Sequence, residues 1–194
     1  EAIRTDNGVP FASAALGGLS RLSVWFIKLG IRPERILPGH PEQNGRHERM
    51  HRTLKEATVA PAKHNLAEQQ GAFEAFKHEY NCERPHEALG QKTPASVYQP
   101  SPRAYPMRLQ QVEYDEDVVV KRVRHSGEIY WKGRFIHISQ VLAKEPVAFK
   151  HIDDHLWSIS FSFYPLGVLD EVTGKVSPLR RTEGKCKRCA RFKM

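Results

Sequence analysis

The chain has 194 residues, 40% of them hydrophobic and 27% charged, with a net charge of +8 and a pI near 9.5. This is the composition of an ordinary globular protein and excludes a disordered polymer, and no apolar run approaches the ~20 residues of a membrane span. Three cysteines are too few for a disulfide framework, which fits a reducing interior.

The length admits one large or two small domains. The charge is uneven. Leu179 to Met194 holds seven basic residues, Arg180 and Arg181 among them, against one acid, which leaves about +2 on the rest of the chain. Such a tail suits a polyanionic partner and equally suits a solvated terminus. No charged-then-apolar leader directs export.

In chain order, residues 1–5 read as the end of a strand that delivers Asp6 to a sheet edge, where Asn7-Gly8 turns. Leu22, Trp25, Phe26 and Leu29 fall at helical spacing over residues 20–29, and Gly30 follows as a C-terminal cap. Residues 34–37 fit a short strand, and Pro38-Gly39-His40-Pro41 then breaks both elements. Residues 44–60 read as a helix whose apolar stripe is Met50, Leu54 and Ala57; its other side carries Glu48 with His51, Arg52 and Lys55 at the i+3, i+4 and i+7 positions.

Phe73, Phe76 and Tyr80 are again helix-spaced, Pro85 is placed to start a helical turn, and Thr93-Pro94 reads as an N-cap followed by proline at the first helical position. After Pro100 the character changes. A Ser-Pro-rich linker leads into β-rich runs at 118–123, 128–131, 134–138, 147–152 and 157–163, separated by turn signals at Ser126-Gly127, Lys132-Gly133 and Asp153-Asp154. The expected organisation is 1–100, a linker at 101–110, an all-β domain at 111–178 and a basic tail at 179–194.

Two stretches carry the chemistry: TDNGVPFAS around Asp6 and HPEQNGRHERMHRTLK around Glu48. A carboxylate followed on one helix face by cations is what a metal-plus-phosphate site needs, the former to hold Mg²⁺ and the latter to position a DNA backbone. Both stretches resemble the second and third carboxylate motifs of the integrase core shared by transposases and retroviral integrases. The block Tyr80-Asn81, Arg84-Pro85-His86, Leu89 and Thr93-Pro94 is similar to a signature of bacterial insertion-sequence transposases, which extends the resemblance from Ala2 to about Tyr98. The 42 positions from Asp6 to Glu48 exceed the spacing usual in related transposases.

The resemblance implies an α/β fold: a partial ribonuclease H-like integrase core with its first strands missing, then a small all-β, SH3-like barrel. It implies two Mg²⁺ or Mn²⁺ ions in the complete site, with Asp6 and Glu48 as catalytic metal ligands. The family's first Asp has no counterpart before Asp6, so this chain is expected to be an incomplete fragment, inactive alone. The sheet it can form would have an unprotected edge.

Double-stranded DNA, as element ends and target, is the expected partner, with a homo-oligomer in the full-length form, no membrane, and a cytoplasmic, nucleoid-associated location. Asn44, His51, Arg52, Lys55, Lys121, Arg122, Arg124, Lys132, Arg134, Arg180 and Arg181 are the candidate DNA contacts. Trp131 is available to stack on bases or, like Trp157, to fill the β domain. Cys186 and Cys189 have half a zinc-ribbon spacing without a second pair, and zinc is not expected there. The competing reading is a non-catalytic DNA-binding or assembly remnant; a nuclease using water in place of a 3′ hydroxyl is a third.

Overall fold

The computed structural model describes residues 1–59, 61–109 and 111–179. The chain forms two compact units, one of residues 1–36 with the segment from 108 onward, the other of residues 37–107. The fold is mixed α/β.

In the first unit β1 (Ala2–Thr5) and β2 (Arg32–Arg35) pair in parallel, Ala2 opposite Arg32 and Thr5 opposite Arg35, joined through α1 (Arg21–Lys28). The Ser20 side chain caps α1 by accepting the Ser23 amide at 3.1 Å. At the other end Gly30, at φ 72°, donates to the Ile27 carbonyl and Ile31 to that of Phe26, the paired bonds of a Schellman cap. Gly30 therefore ends the helix as its sequence predicts. β2 begins two residues earlier than the predicted strand, because the cap releases the chain at Ile31 directly into register with β1.

The C-terminal part holds β3 (Val119–Arg122), β4 (Glu128–Trp131), β5 (Arg134–His137), β6 (Pro146–Asp153), β7 (Leu156–Phe161), β8 (Tyr164–Asp170) and β9 (Val176–Pro178). Five make an antiparallel sheet in the order β3-β6-β7-β8-β9, and β4-β5 is a separate hairpin. Among the described residues the pairing leaves that sheet open at β3 and β9. The β4–β5 turn is Lys132-Gly133, with φ of 42° and 89°; positive φ at both positions is the mark of a type I′ turn. The predicted run 157–163 crosses a second two-residue turn, Ser162-Phe163, where Ser162 stands at φ 51°. Strands β8 and β9 follow it without a sequence expectation.

The core of this unit draws on both segments of the chain. Leu19, Val24 and Ile27 lie in one buried cluster with Val123, Ile129, Trp131, Ile136, Phe149, Ile159, Phe161, Leu166 and Leu169. Lys28 Nζ pairs with Glu145 Oε1 at 2.8 Å, and the Tyr164 hydroxyl donates to the Gly17 carbonyl at 3.3 Å. Tyr114 ties the sheet at another point: its hydroxyl donates to the Pro146 carbonyl and accepts the Ser162 amide, both at 2.9 Å.

The second unit is helical: α2 (Gly45–Thr58), α3 (Leu66–His78), a π-helical turn at Glu79–Glu83, a 3-10 turn at Glu87–Leu89, and α4 (Pro94–Val97). Met50 and Leu54 of α2 and Phe73 and Phe76 of α3 line an apolar cleft of about 420 Å³, which agrees with the apolar stripe read for α2. Asn65 caps α3 by accepting the Glu68 amide at 2.9 Å. Thr93 occupies the N-cap position of α4, but its hydroxyl makes no capping bond there; Pro94 stands at the first helical position as expected. The turn after Pro85 starts at Glu87, with His86 as its N-cap residue.

Candidate functional site

Asp6 follows the last residue of β1, at the carboxyl end of the parallel pair, where ligands of parallel sheets gather. Its backbone is fixed on both sides. Oδ1 accepts the Gly8 amide at 2.9 Å, and Asn7 Nδ2 donates to the Ile36 carbonyl at 3.0 Å, tying the loop to the end of β2. A Cβ at position 8 would lie 3.3 Å from Asp6 Oδ1, so glycine there lets the loop fold tightly over the carboxylate. Asp6 is exposed, and it belongs to the first unit.

Glu48 belongs to the second unit, in the first turn of α2, where the free amides of the helix start favour a carboxylate. Glu48, His51, Arg52 and Lys55 are all exposed, while Met50 and Leu54 on the other side are half-buried. The His47 and His51 rings touch at a tilt of 53°, with centroids 4.1 Å apart. Asn44 is half-buried at the N-cap position and makes no capping bond with its side chain.

The block Tyr80 to His86 folds on itself. The Tyr80 ring lies 5.4 Å from that of Phe76 and 4.7 Å, edge-on, from that of His86, and Arg84 stands 5.9 Å above it. This packing supports a structural part for Tyr80, Arg84 and His86.

The candidate DNA contacts of the β region divide by their surroundings. Lys132 Nζ pairs with Glu171 Oε2 at 2.8 Å, and an Arg134 guanidinium nitrogen donates to the carbonyls of Glu171 and Val172. Both cations thus fasten the hairpin to the loop after β8. Arg122 and Arg124, with His125, Ser126, Glu128 and Lys144, line an open cleft of about 610 Å³. Arg122 Nη1 donates to the Lys144 carbonyl at 2.9 Å, and Lys144 itself sits at φ 71°. Lys144 escaped the sequence reading because it lies far from Arg122 along the chain. Lys121 is half-buried on β3. Arg180, Arg181, Cys186 and Cys189 lie outside the described residues.

Trp131 does not face solvent. It is 3% exposed, with ring centroids 4.7 Å from Phe149 and 5.1 Å from Trp157, so it fills the core rather than stacking on bases. The exposed rings on this hairpin are Tyr130 and Phe135.

Aspartate and glutamate oxygens are hard donors that suit Mg²⁺ or Mn²⁺. Among the described residues, however, no group of three or more His, Cys, Asp or Glu side chains is placed to hold a metal ion. The donor chemistry of Asp6 and Glu48 fits a divalent cation. Among the described residues, no helix is long and apolar enough to cross a membrane.

Comparison with protein families gives a match to the integrase core domain over residues 29–94, about a third of the chain. The matched stretch contains α2 with Glu48 and the Tyr80–His86 block; Asp6 precedes it. Over residues 29–94 the chain is thus similar to the integrase core domain.

Proposed function

We propose that this chain is part of a transposase or integrase whose full-length form cleaves and joins DNA strands by phosphoryl transfer, with Asp6 and Glu48 as two of its three metal-binding carboxylates. The observation that carries this is the placement of Glu48 within the integrase-core match, on an exposed helix face followed by Arg52 and Lys55. Asp6 and Glu48 are the residues of this chain that would hold divalent cations, which would supply activation of the attacking hydroxyl or water and stabilisation of the leaving oxygen. The chain's own contribution is to hold one carboxylate in the Asp6–Gly8 loop and another in the first turn of α2, with Arg52, Lys55, His51 and Asn44 positioning the DNA backbone.

The same proposal makes this chain incomplete. β1 and β2 form a two-stranded parallel sheet, whereas parallel strands ordinarily sit inside larger covered sheets, and Ala2 and Arg4 of β1 are exposed. A ribonuclease H-like core would supply the missing strands and the third carboxylate, and 1–100 and 111–178 would be the modules of the whole protein, the second related to SH3-like domains and sharing its core here with Leu19, Val24 and Ile27 of the first. Full-length oligomers would bring element ends and target DNA together at the nucleoid.

The test is to express the complete reading frame that contains this chain and assay Mg²⁺- or Mn²⁺-dependent strand cleavage. Asp6→Asn and Glu48→Gln should each abolish cleavage, and the present chain alone should show none. Cleavage that survives Glu48→Gln would overturn the assignment. A second reading, a DNA-binding remnant without catalysis, is favoured by the well-packed β unit and its cationic cleft; it predicts salt-sensitive duplex binding by this chain alone.

A further inference from the structure

The outward face of the β4–β5 hairpin carries two large rings that fill no core. Tyr130 and Phe135 stand directly opposite each other in register, with centroids 5.3 Å apart, and are 57% and 54% exposed. Their strand neighbours Ile129, Trp131 and Ile136 point the other way and are buried. Exposed aromatic pairs of this kind are informative because burial would otherwise be favoured.

The rings adjoin positive charge. The Arg124 guanidinium lies 4.8 Å from the Phe135 centroid, and the same Arg124 lines the cleft with Arg122, His125 and Lys144. One carboxylate, Glu128, shares that cleft and is engaged by the Ser126 hydroxyl at 2.8 Å. Three permanent cations against one acid suit a phosphate backbone. A duplex would use the cations alone, since its bases are stacked inside; only an unpaired strand offers flat base surfaces to Tyr130 and Phe135.

We propose that this face binds single-stranded DNA, with unpaired bases stacked on Tyr130 and Phe135 and phosphates held by Arg122, Arg124 and Lys144. The proposal builds on the DNA-binding reading above and adds that the strand bound here is unpaired, as strand breakage and exchange would leave it.

The experiment uses the whole chain, with fluorescence anisotropy on a labelled mixed-sequence single strand and on its duplex at one salt concentration. The combined Tyr130→Ala and Phe135→Ala variant should bind the single strand roughly 10-fold more weakly and the duplex within about twofold of the parent. Tyr130→Phe, which keeps the ring, should retain single-strand binding, and unchanged thermal unfolding of both variants shows that the fold is intact. Duplex binding without single-strand binding by the parent overturns the inference and leaves the DNA-binding reading standing. Binding to neither overturns that reading as well. Equal losses on both DNA forms overturn the stacking role. A parent dimer in sedimentation that the double variant abolishes, with single-strand binding unchanged, would make the face a contact between copies and overturn the proposal.

Discussion

Lys132 and Glu171 form an ion pair at 2.8 Å, and the same Glu171 Oε2 accepts the Trp157 indole N–H at 2.7 Å. The hydrogen bond from Lys132, then that from Trp157, holds the Glu171 carboxyl below its ordinary 4.5. A depressed carboxylate contributes stability above its ordinary value and loses it as pH falls through the folded one. Glu171→Gln should therefore flatten the acid limb of a stability-versus-pH curve below about pH 4.5. An unchanged limb would show that the cluster does not couple to folding.

The same pairing ranks the cations for DNA. Lys132 must give up Glu171 to reach a phosphate, whereas Arg124 lines an open cleft. Arg124→Ala should weaken duplex binding about fivefold and Lys132→Ala by about twofold or less, read by anisotropy at fixed salt. The reverse order would place the duplex on the other side of the hairpin.

Ile27 of α1 is 1% exposed in the cluster that contains Phe149, Phe161 and Leu166. Ile27→Ala should destabilise the β unit by about 2–5 kcal/mol, measured by urea denaturation with tryptophan fluorescence. With Trp25 on the same helix replaced by Phe in parent and variant, the remaining Trp131 and Trp157 lie far from position 27 in the sequence, so a shifted tryptophan transition reports that the two segments share one core. It follows that cutting the chain near residue 100 to isolate the β region would strip that core of Leu19, Val24 and Ile27, and charge substitutions are the better test of DNA binding.

Gly127 sits at φ 86°, and a Cβ there would stand 2.6 Å from the Gln140 backbone nitrogen. Its carbonyl accepts the Ile138 and Ser139 amides at 2.8 and 3.0 Å, so the turn cannot retreat without breaking them. Gly127→Ala should cost about 2–3 kcal/mol in chemical denaturation. A shift near zero would mean that the segment around Gln140 yields freely.

Burial, the largest influence, pushes the Tyr114 hydroxyl up to about 12 from its ordinary 10. Between those values the unfolded chain has lost a proton that the folded one keeps, so stability falls as pH rises through that window. Tyr114→Phe should lower stability at neutral pH by about 1 kcal/mol or more through loss of both hydrogen bonds, and should remove this alkaline decline. Parallel alkaline limbs for parent and variant would assign the decline to other groups.

Sequence alone determined the features that neighbours along the chain decide. Gly30 ends α1 because only residues 26–31 take part in its cap, and Lys132-Gly133 turns the hairpin because two positive φ angles are needed side by side. The Glu48 helix and its two faces were legible for the same reason, since periodicity is a local property. The integrase-core resemblance carried by Glu48 and the Tyr80–His86 block was legible too, and the family match covers both.

Tertiary structure decided what distant residues impose. Trp131 and Tyr130 are adjacent in a strand, and nothing local says which faces the core; Phe149 and Trp157 bury the first and leave the second in water. The turn at Ser162 was hidden in a run where serine alternates with apolar residues without glycine or proline, and it is held by the Tyr114 hydroxyl from another part of the chain. Lys132 and Arg134 read as free cations until Glu171 and the loop after β8 met them. Burial and ion pairing need two surfaces to meet, and a sequence presents one surface at a time.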